Sequence, residues 1–291
     1  MKIPASAYLF LAIGMVVISQ SGNIVRLADA HPVAIAGWRL LLACIVLVPI
    51  AGPKFYELRS LAGRELMLLV LSGITLAVHF FTWIAAVQNT TVASAAIFFS
   101  VNPVFVSVAS YLLYGERPTA KLFMSILLGL AGVVVLGHGD LKIDSAHLAG
   151  DAWAVACALL FTVYFMLGKR FRRLLSTTVY VAVVYGVAAA TSFGVMIASG
   201  MALFSYSGKS WLAFALLAAG PTLMGHTSFN HALRYLRAGW LSALTLSEPL
   251  LAAIVAWWAW GEAVTASTAA GYVLVGASVL VLVTERRMEP E

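Results

Sequence analysis

Charge is scarce in this chain. Only 10% of its 291 residues are Asp, Glu, Lys or Arg, where a soluble domain carries nearer a quarter. No hydrophilic stretch is long enough to fold alone, which excludes an appended soluble domain. Cysteine is almost missing. Cys44 and Cys157 both lie within apolar runs, so a disulfide framework, a CxxC motif and a cysteine metal cluster are excluded. Catalytic signatures are missing too. No Ser/His/Asp set, paired catalytic carboxylates, phosphate-cradling loop or HExxH occurs. The sequence therefore reads as a non-enzyme that needs no cofactor and holds no metal. A membrane-embedded lipid-modifying enzyme is the rival from another class. It would want polar residues clustered at one interface, and here they are scattered singly at midplane.

What is abundant is apolar. Hydrophobic residues make up 62% of the chain. A crossing needs roughly 20 of them in a row. Ten stretches qualify: about 5–27, 32–51, 65–87, 91–114, 119–137, 148–168, 177–200, 209–233, 238–260 and 266–284. Breaks fall at His31-Pro32, Gly52-Pro53, Gly115–Pro118, Gly137–Asp144 and Gly261-Glu262. The run from Ala5 to Val25 is longer than a signal-peptide core and reads as the first spanning helix. The expected fold is an all-α polytopic membrane protein, a single transmembrane domain over 1–291.

The chain carries a formal charge of +6. The placement of that charge points to topology, not to nucleic acid. With the N-terminus inside, the cytoplasmic loops hold Lys2, Lys54, Arg59, Arg64, Arg117, Lys121, Lys169, Arg170, Arg172, Arg173, Arg234, Arg237, Arg286 and Arg287. Only Arg26, Lys142 and Lys209 face the other way, and Arg39 is left inside a helix. By the positive-inside rule both termini are cytoplasmic.

Two spans share an unusual centre. Glu248-Pro249 sits at the middle of Ala238–Gly261, and Asn102-Pro103 at the middle of Val92–Tyr114. An offset of 146 residues superimposes them. It also aligns Tyr114-Gly-Glu-Arg-Pro-Thr-Ala with Trp260-Gly-Glu-Ala-Val-Thr-Ala, and Trp83 with Phe229. That offset is five spans, an odd number, so the halves run in opposite orientation. Residues 1–140 and 147–286 are the expected five-helix repeats. An inverted repeat with helices broken at midplane points to a transport site between the halves. Asn102, Pro103 and Pro249 are the expected hinge residues, because proline removes a backbone donor and frees the carbonyl one turn back.

These features together resemble the drug/metabolite transporter superfamily in its EamA-repeat branch. The likeness rests on the five-plus-five helices, the paired Gly-Glu loops, Glu248-Pro249 and the Trp38-Arg39 pair. His79, with Trp83 one turn on, is similar to the aromatic amino-acid exporters of the YddG type. The resemblance implies an inner-membrane exporter of amino acids or related metabolites. It also implies a central cavity lined by helices 1–4 and 6–9.

Seven residues are candidates for cargo contact. Glu248 has two readings: it binds a cargo amino group or a coupling proton, or it caps the helix restarting at Pro249, and the cap is favoured. Arg39 suits a carboxylate clamp, against a structural pair with Glu248 or freed carbonyls. His79 and Trp83 share a helix face and suit an aromatic side chain. Their alternatives are a satisfied neighbour contact and the outer aromatic belt. Trp38 adjoins Arg39 and is a further cavity candidate, as are Phe99 and Tyr185 at membrane depth. His226 and Asn230, one turn apart, are assigned to packing or gate contacts. Trp257, Trp258 and Trp260 are read as belt anchors. Asp140, Asp144 and Asp151 are read as solvated. Ser125, Gly129, Gly132, Gly271 and Gly276 permit close helix approach at the bundle edge, the alternative being a homodimer interface. The expected partners are the bilayer and a small neutral, aromatic amino acid. A multidrug or other metabolite exporter is the rival within transport.

Overall fold

The computed structural model describes residues 5–137, 147–260 and 266–285, with the backbone alone described at 5, 6, 92, 93, 137, 253, 256–260 and 266–268. Lys2, Asp140, Lys142, Asp144, Gly261-Glu262, Arg286, Arg287 and the Trp257, Trp258 and Trp260 side chains lie outside the described residues. The fold is all helical among the described residues. In a bilayer this follows from the backbone, which has no water to bond and must satisfy itself within each segment.

Six helices are long and apolar enough to cross a membrane among the described residues: Pro32–Ser60, Gly63–Asn89, Ser94–Tyr114, Leu148–Phe171, Thr177–Ala198 and Gly208–Ala232. Ala7–Ile18, Ala120–Leu136 and Ala269–Val283 are shorter apolar helices. Large apolar side chains such as Leu9, Ile45, Leu112, Phe123, Ile197 and Leu280 stand exposed. Such a surface is stable only against lipid.

Several expected spans are built from pieces. The first is α1 (Ala5–Ile18) followed by a turn and α2 (Ser21–Val25). Next comes α3 (Pro32–Ala51), whose first turn is capped by the His31 ring accepting from Val33 N at 3.3 Å. A 3₁₀ turn, Gly52–Ser60, leads to α4 (Gly63–Asn89). The Asn102-Pro103 span splits into α5 (Val92–Phe99) and α6 (Asn102–Tyr114). Gly115 closes α6 at φ 70°, a left-handed conformation that favours glycine. Then come α7 (Ala120–Gly137), α8 (Leu148–Phe171) and α9 (Thr177–Ala198).

The eighth expected span is the most irregular. α10 (Gly208–Leu217) runs into a π-helical stretch, Ala218–His226, and then α11 (Thr227–Ala232). Pro221 lies inside the π stretch, where it cannot donate to the ladder. The Glu248-Pro249 span is α12 (Ala238–Ala243), a 3₁₀ turn Leu244–Ser247, and α13 (Glu248–Trp260). The Thr245 carbonyl that Pro249 cannot serve accepts from Glu248 N instead. The last helix is α14 (Ala266–Val283).

Both proline spans break where the sequence places them, yet their polar residues differ. Asn102 is fully buried and donates through Nδ2 to Ala158 O of α8 at 3.3 Å. Glu248 is only partly buried.

Packing accounts for part of the small-residue stripe, while a Cβ at Gly276 would meet nothing within 4 Å. α7 lies along α14 of the same chain. A Cβ at Gly132 would stand 2.9 Å from Val275 N, and one at Gly271 3.0 Å from Leu136 N. The Ser125 and Ser278 hydroxyls meet at 3.1 Å. These residues thus join two helices of one molecule.

Candidate functional site

A cavity of about 40 Å³ lies between the chain's two halves. From the first half come Ile18, Ser21, His79, Phe80, Trp83 and Phe99; from the second, Phe161, His226, Phe229, Thr245 and Glu248. The wall is largely aromatic. Phe99 meets Trp83 at 5.6 Å and Phe161 at 6.0 Å between ring centroids. His79 lies 5.4 Å from Phe161 and 6.0 Å from His226. Edge-to-face rings of this kind present both positive edges and negative faces to whatever enters.

Two imidazoles and one carboxylate supply the polar chemistry. His79 Nδ1 donates to Cys157 O at 3.1 Å, with Cys157 Sγ at 3.2 Å. In the neutral ring that bond leaves Nε2 as the acceptor, a tautomer assigned here from the bonding pattern. His226 is the last residue of the π stretch and lines the cavity. π-helical insertions of this kind concentrate at functional sites. Glu248 faces them from the broken span. Among the described residues its carboxylate has neither an ion pair nor a capping bond. The favoured cap reading therefore has no bond to support it here. Among the described residues no group of three His, Cys, Asp or Glu could hold a metal.

The structure brings His79, Trp83, Phe99 and Glu248 together and leaves three candidates outside. Trp38 turns away from the cavity. It packs on Trp211 at 4.6 Å and Phe193 at 5.2 Å, and its indole donates to Leu203 O at 2.9 Å. Tyr185 is fully buried on α9, and its hydroxyl contacts Thr222 O at 3.3 Å and Thr227 Oγ1 at 3.2 Å. Arg39 is fully buried behind Phe80, with Nε donating to Thr222 Oγ1 at 2.9 Å. The common reason is that α3 packs against α9 and α4. That places both α3 and α9 one layer behind the wall, so helices 2 and 7 do not line this cavity.

Other assignments change as well. Asn230 is a packing residue, donating to Tyr164 OH and His226 O, but His226 itself lines the cavity. Asp151 is not solvated. It is 4% exposed and accepts from Ser94 Oγ at 2.7 Å. Phe80 and Phe161 carry no sequence signal, because a single phenylalanine in an apolar span does not reveal its facing; Phe229 is marked only by its alignment with Trp83 at the 146-residue offset. His226 carries the same sequence signal as His79, an imidazole in the middle of an apolar span.

Comparison with known proteins adds a second line of evidence. Residues 5–137 and 148–284 each match the model of the EamA-like transporter family. An uncharacterized transporter of Archaeoglobus fulgidus is 28% identical over 205 residues, 69% of this chain and 70% of that protein. The aromatic amino acid exporter YddG of Ancylobacter novellus is 28% identical over 184 residues, 61% of each chain. A solved crystal structure superimposes over 96% of both chains with a TM-score of 0.80 at 23% identity, a likeness of fold.

Proposed function

The chain belongs to the EamA-like transporter family, and on that premise we propose that it moves a neutral, aromatic amino acid out of the cell by alternating access. Membership makes it a multi-pass transporter of the inner membrane and not an enzyme. The proposed architecture is ten spanning helices in two inverted five-helix repeats, 1–140 and 147–286, with both termini cytoplasmic. The basic residues and the odd number of spans between equivalent prolines support that arrangement.

The observation that carries the cargo reading is the cavity wall. Five aromatic rings and two imidazoles face a single carboxylate that no cation among the described residues neutralises. His79, Trp83 and Phe99 suit a planar side chain, and Glu248 suits an ammonium group. At about 40 Å³ the cavity is smaller than the roughly 150 Å³ space that takes a benzene ring. Cargo admission therefore requires the halves to part, with bending at Asn102-Pro103 and Pro249.

Counterflow in proteoliposomes tests this, using labelled phenylalanine, threonine and a lipophilic cation, with and without a pH gradient. Phenylalanine flux exceeding that of threonine is the expected result. Absence of any amino-acid flux sinks the reading. The unpaired Glu248 in an aromatic wall also suits a lipophilic cation, and flux of that cation alone would favour a drug exporter.

A further inference from the structure

Arg39 is a buried charge with no anionic partner among the described residues. Arg39 is 0% exposed. Its Nε is held by Thr222 Oγ1, but neither Nη1 nor Nη2 has a hydrogen-bond partner. A guanidinium stays protonated in proteins and carries five donors, four of them on the Nη atoms. No carboxylate pairs with Arg39 among the described residues.

Arg172 shows how this fold treats a structural arginine. It is 1% exposed. Its Nε donates to Asn230 O at 3.0 Å, its Nη1 to Leu175 O, and its Nη2 to Thr177 Oγ1 at 2.7 Å. All three nitrogens of Arg172 are engaged, whereas Arg39 has only one engaged. Burying a cation without an anion is costly; at Arg39 only the Thr222 hydroxyl and the Phe80 face offset that cost, and an anion on the Nη edge would offset more of it.

The surroundings of Arg39 orient it. Thr222 belongs to the π stretch, and the Tyr185 hydroxyl donates to the Thr222 carbonyl. This scaffold holds the Nε edge and leaves the Nη edge uncommitted. The Phe80 ring covers the guanidinium at 4.1 Å. The same ring lines the cavity and meets His226 edge-on at 4.9 Å. Phe80 is thus a single side chain standing between an unmatched cation and the cargo space.

We propose that Arg39 is a carboxylate subsite shuttered by Phe80, opened when that ring swings aside and the two Nη atoms take a carboxylate in a bidentate grip. The ligand class is an aromatic monocarboxylate. This deepens the cavity's reading as the cargo site. Arg39 then addresses the carboxylate of the cargo, and the aromatic wall its ring. Bidentate recognition gives geometric selectivity that a lone ammonium lacks.

The test is titration calorimetry on the purified full chain with 3-phenylpropionate and with phenethylamine. These probes share a ring and differ in charge. Arg39→Gln is expected to weaken 3-phenylpropionate at least about tenfold and to leave phenethylamine within about twofold. Arg39→Lys recovers part of the loss, because it keeps the charge and loses the fork. Phe80→Leu tightens 3-phenylpropionate, since a larger fraction of molecules then presents an open subsite. A folded Arg39→Gln protein with wild-type affinity for 3-phenylpropionate overturns the proposal. So does wild-type protein that does not bind that probe. Should Arg39→Gln fail to fold, Phe80→Leu decides: unchanged or weakened carboxylate binding overturns it. Arg39-dependent binding without phenylalanine flux leaves the subsite standing and removes the amino-acid reading. Phenylalanine flux that is insensitive to Arg39 does the reverse.

Discussion

Glu116, from the first repeat, and Lys169, from the second, form a buried ion pair, their side chains 6% and 1% exposed. Glu116 also accepts from Ser110 Oγ and, at 3.3 Å, from Ala238 N. One carboxylate therefore ties the ends of α6 and α8 to the start of α12. Read as sequence, Gly115-Glu116 was a loop signature and Lys169 a cytoplasmic cation. Folding removes both from solvent and turns them into a clasp between the halves.

That clasp has an asymmetric mutational signature. Lys169→Met leaves Glu116 buried and uncompensated, and is expected to cost about 3–5 kcal/mol. The double variant with Glu116→Gln and Lys169→Met should cost less than Lys169→Met alone, because no lone charge remains. Thermal unfolding of the wild type, both single variants (Glu116→Gln and Lys169→Met) and the double variant in one detergent measures this. Strict additivity would show that the two charges are not coupled.

The proline breaks should affect motion more than binding. Pro103→Ala and Pro249→Ala each restore a backbone donor at a point where two helical pieces meet. Stability should change by no more than about 1 kcal/mol. Turnover in counterflow is expected to fall severalfold while the half-saturating cargo concentration stays the same. Wild-type turnover in both variants would mean that the breaks are fixed architecture.

His79 and Trp38 separate the wall from the layer behind it. His79→Leu removes an imidazole from the cavity and the side-chain bond it makes to Cys157 O. Half-saturation for aromatic cargo should rise at least about tenfold. Trp38→Phe removes the bond to Leu203 O and trims the ring packed on Trp211 and Phe193, costing at least about 0.5–1.5 kcal/mol of stability and less than about twofold in half-saturation. A Trp38 effect on half-saturation as large as that of His79 would refute the cavity boundary drawn here.

Much of the site was legible in the amino-acid order. His79 and Trp83 share a face because they are one turn apart, and Glu248 marked itself by its depth. Trp38-Arg39 misled for the same geometric reason. Neighbours on a helix point about 100° apart, and adjacency says nothing of a shared direction. Trp38 went to an aromatic cluster under Leu203, and Arg39 to the back of Phe80. The π stretch left only Pro221 as a local hint, and proline does not reveal how a helix will absorb it.

Composition and spacing alone established a helical membrane protein with paired proline breaks. Those properties are local: lipid forces each segment to satisfy its own backbone, and proline interrupts the ladder wherever it falls. Tertiary packing decided which side chains face one another. The rotation of each helix is set by its neighbours, so only the folded chain could move Tyr185 and Arg39 behind the wall, bring His226 into it, and bury Glu116 against Lys169.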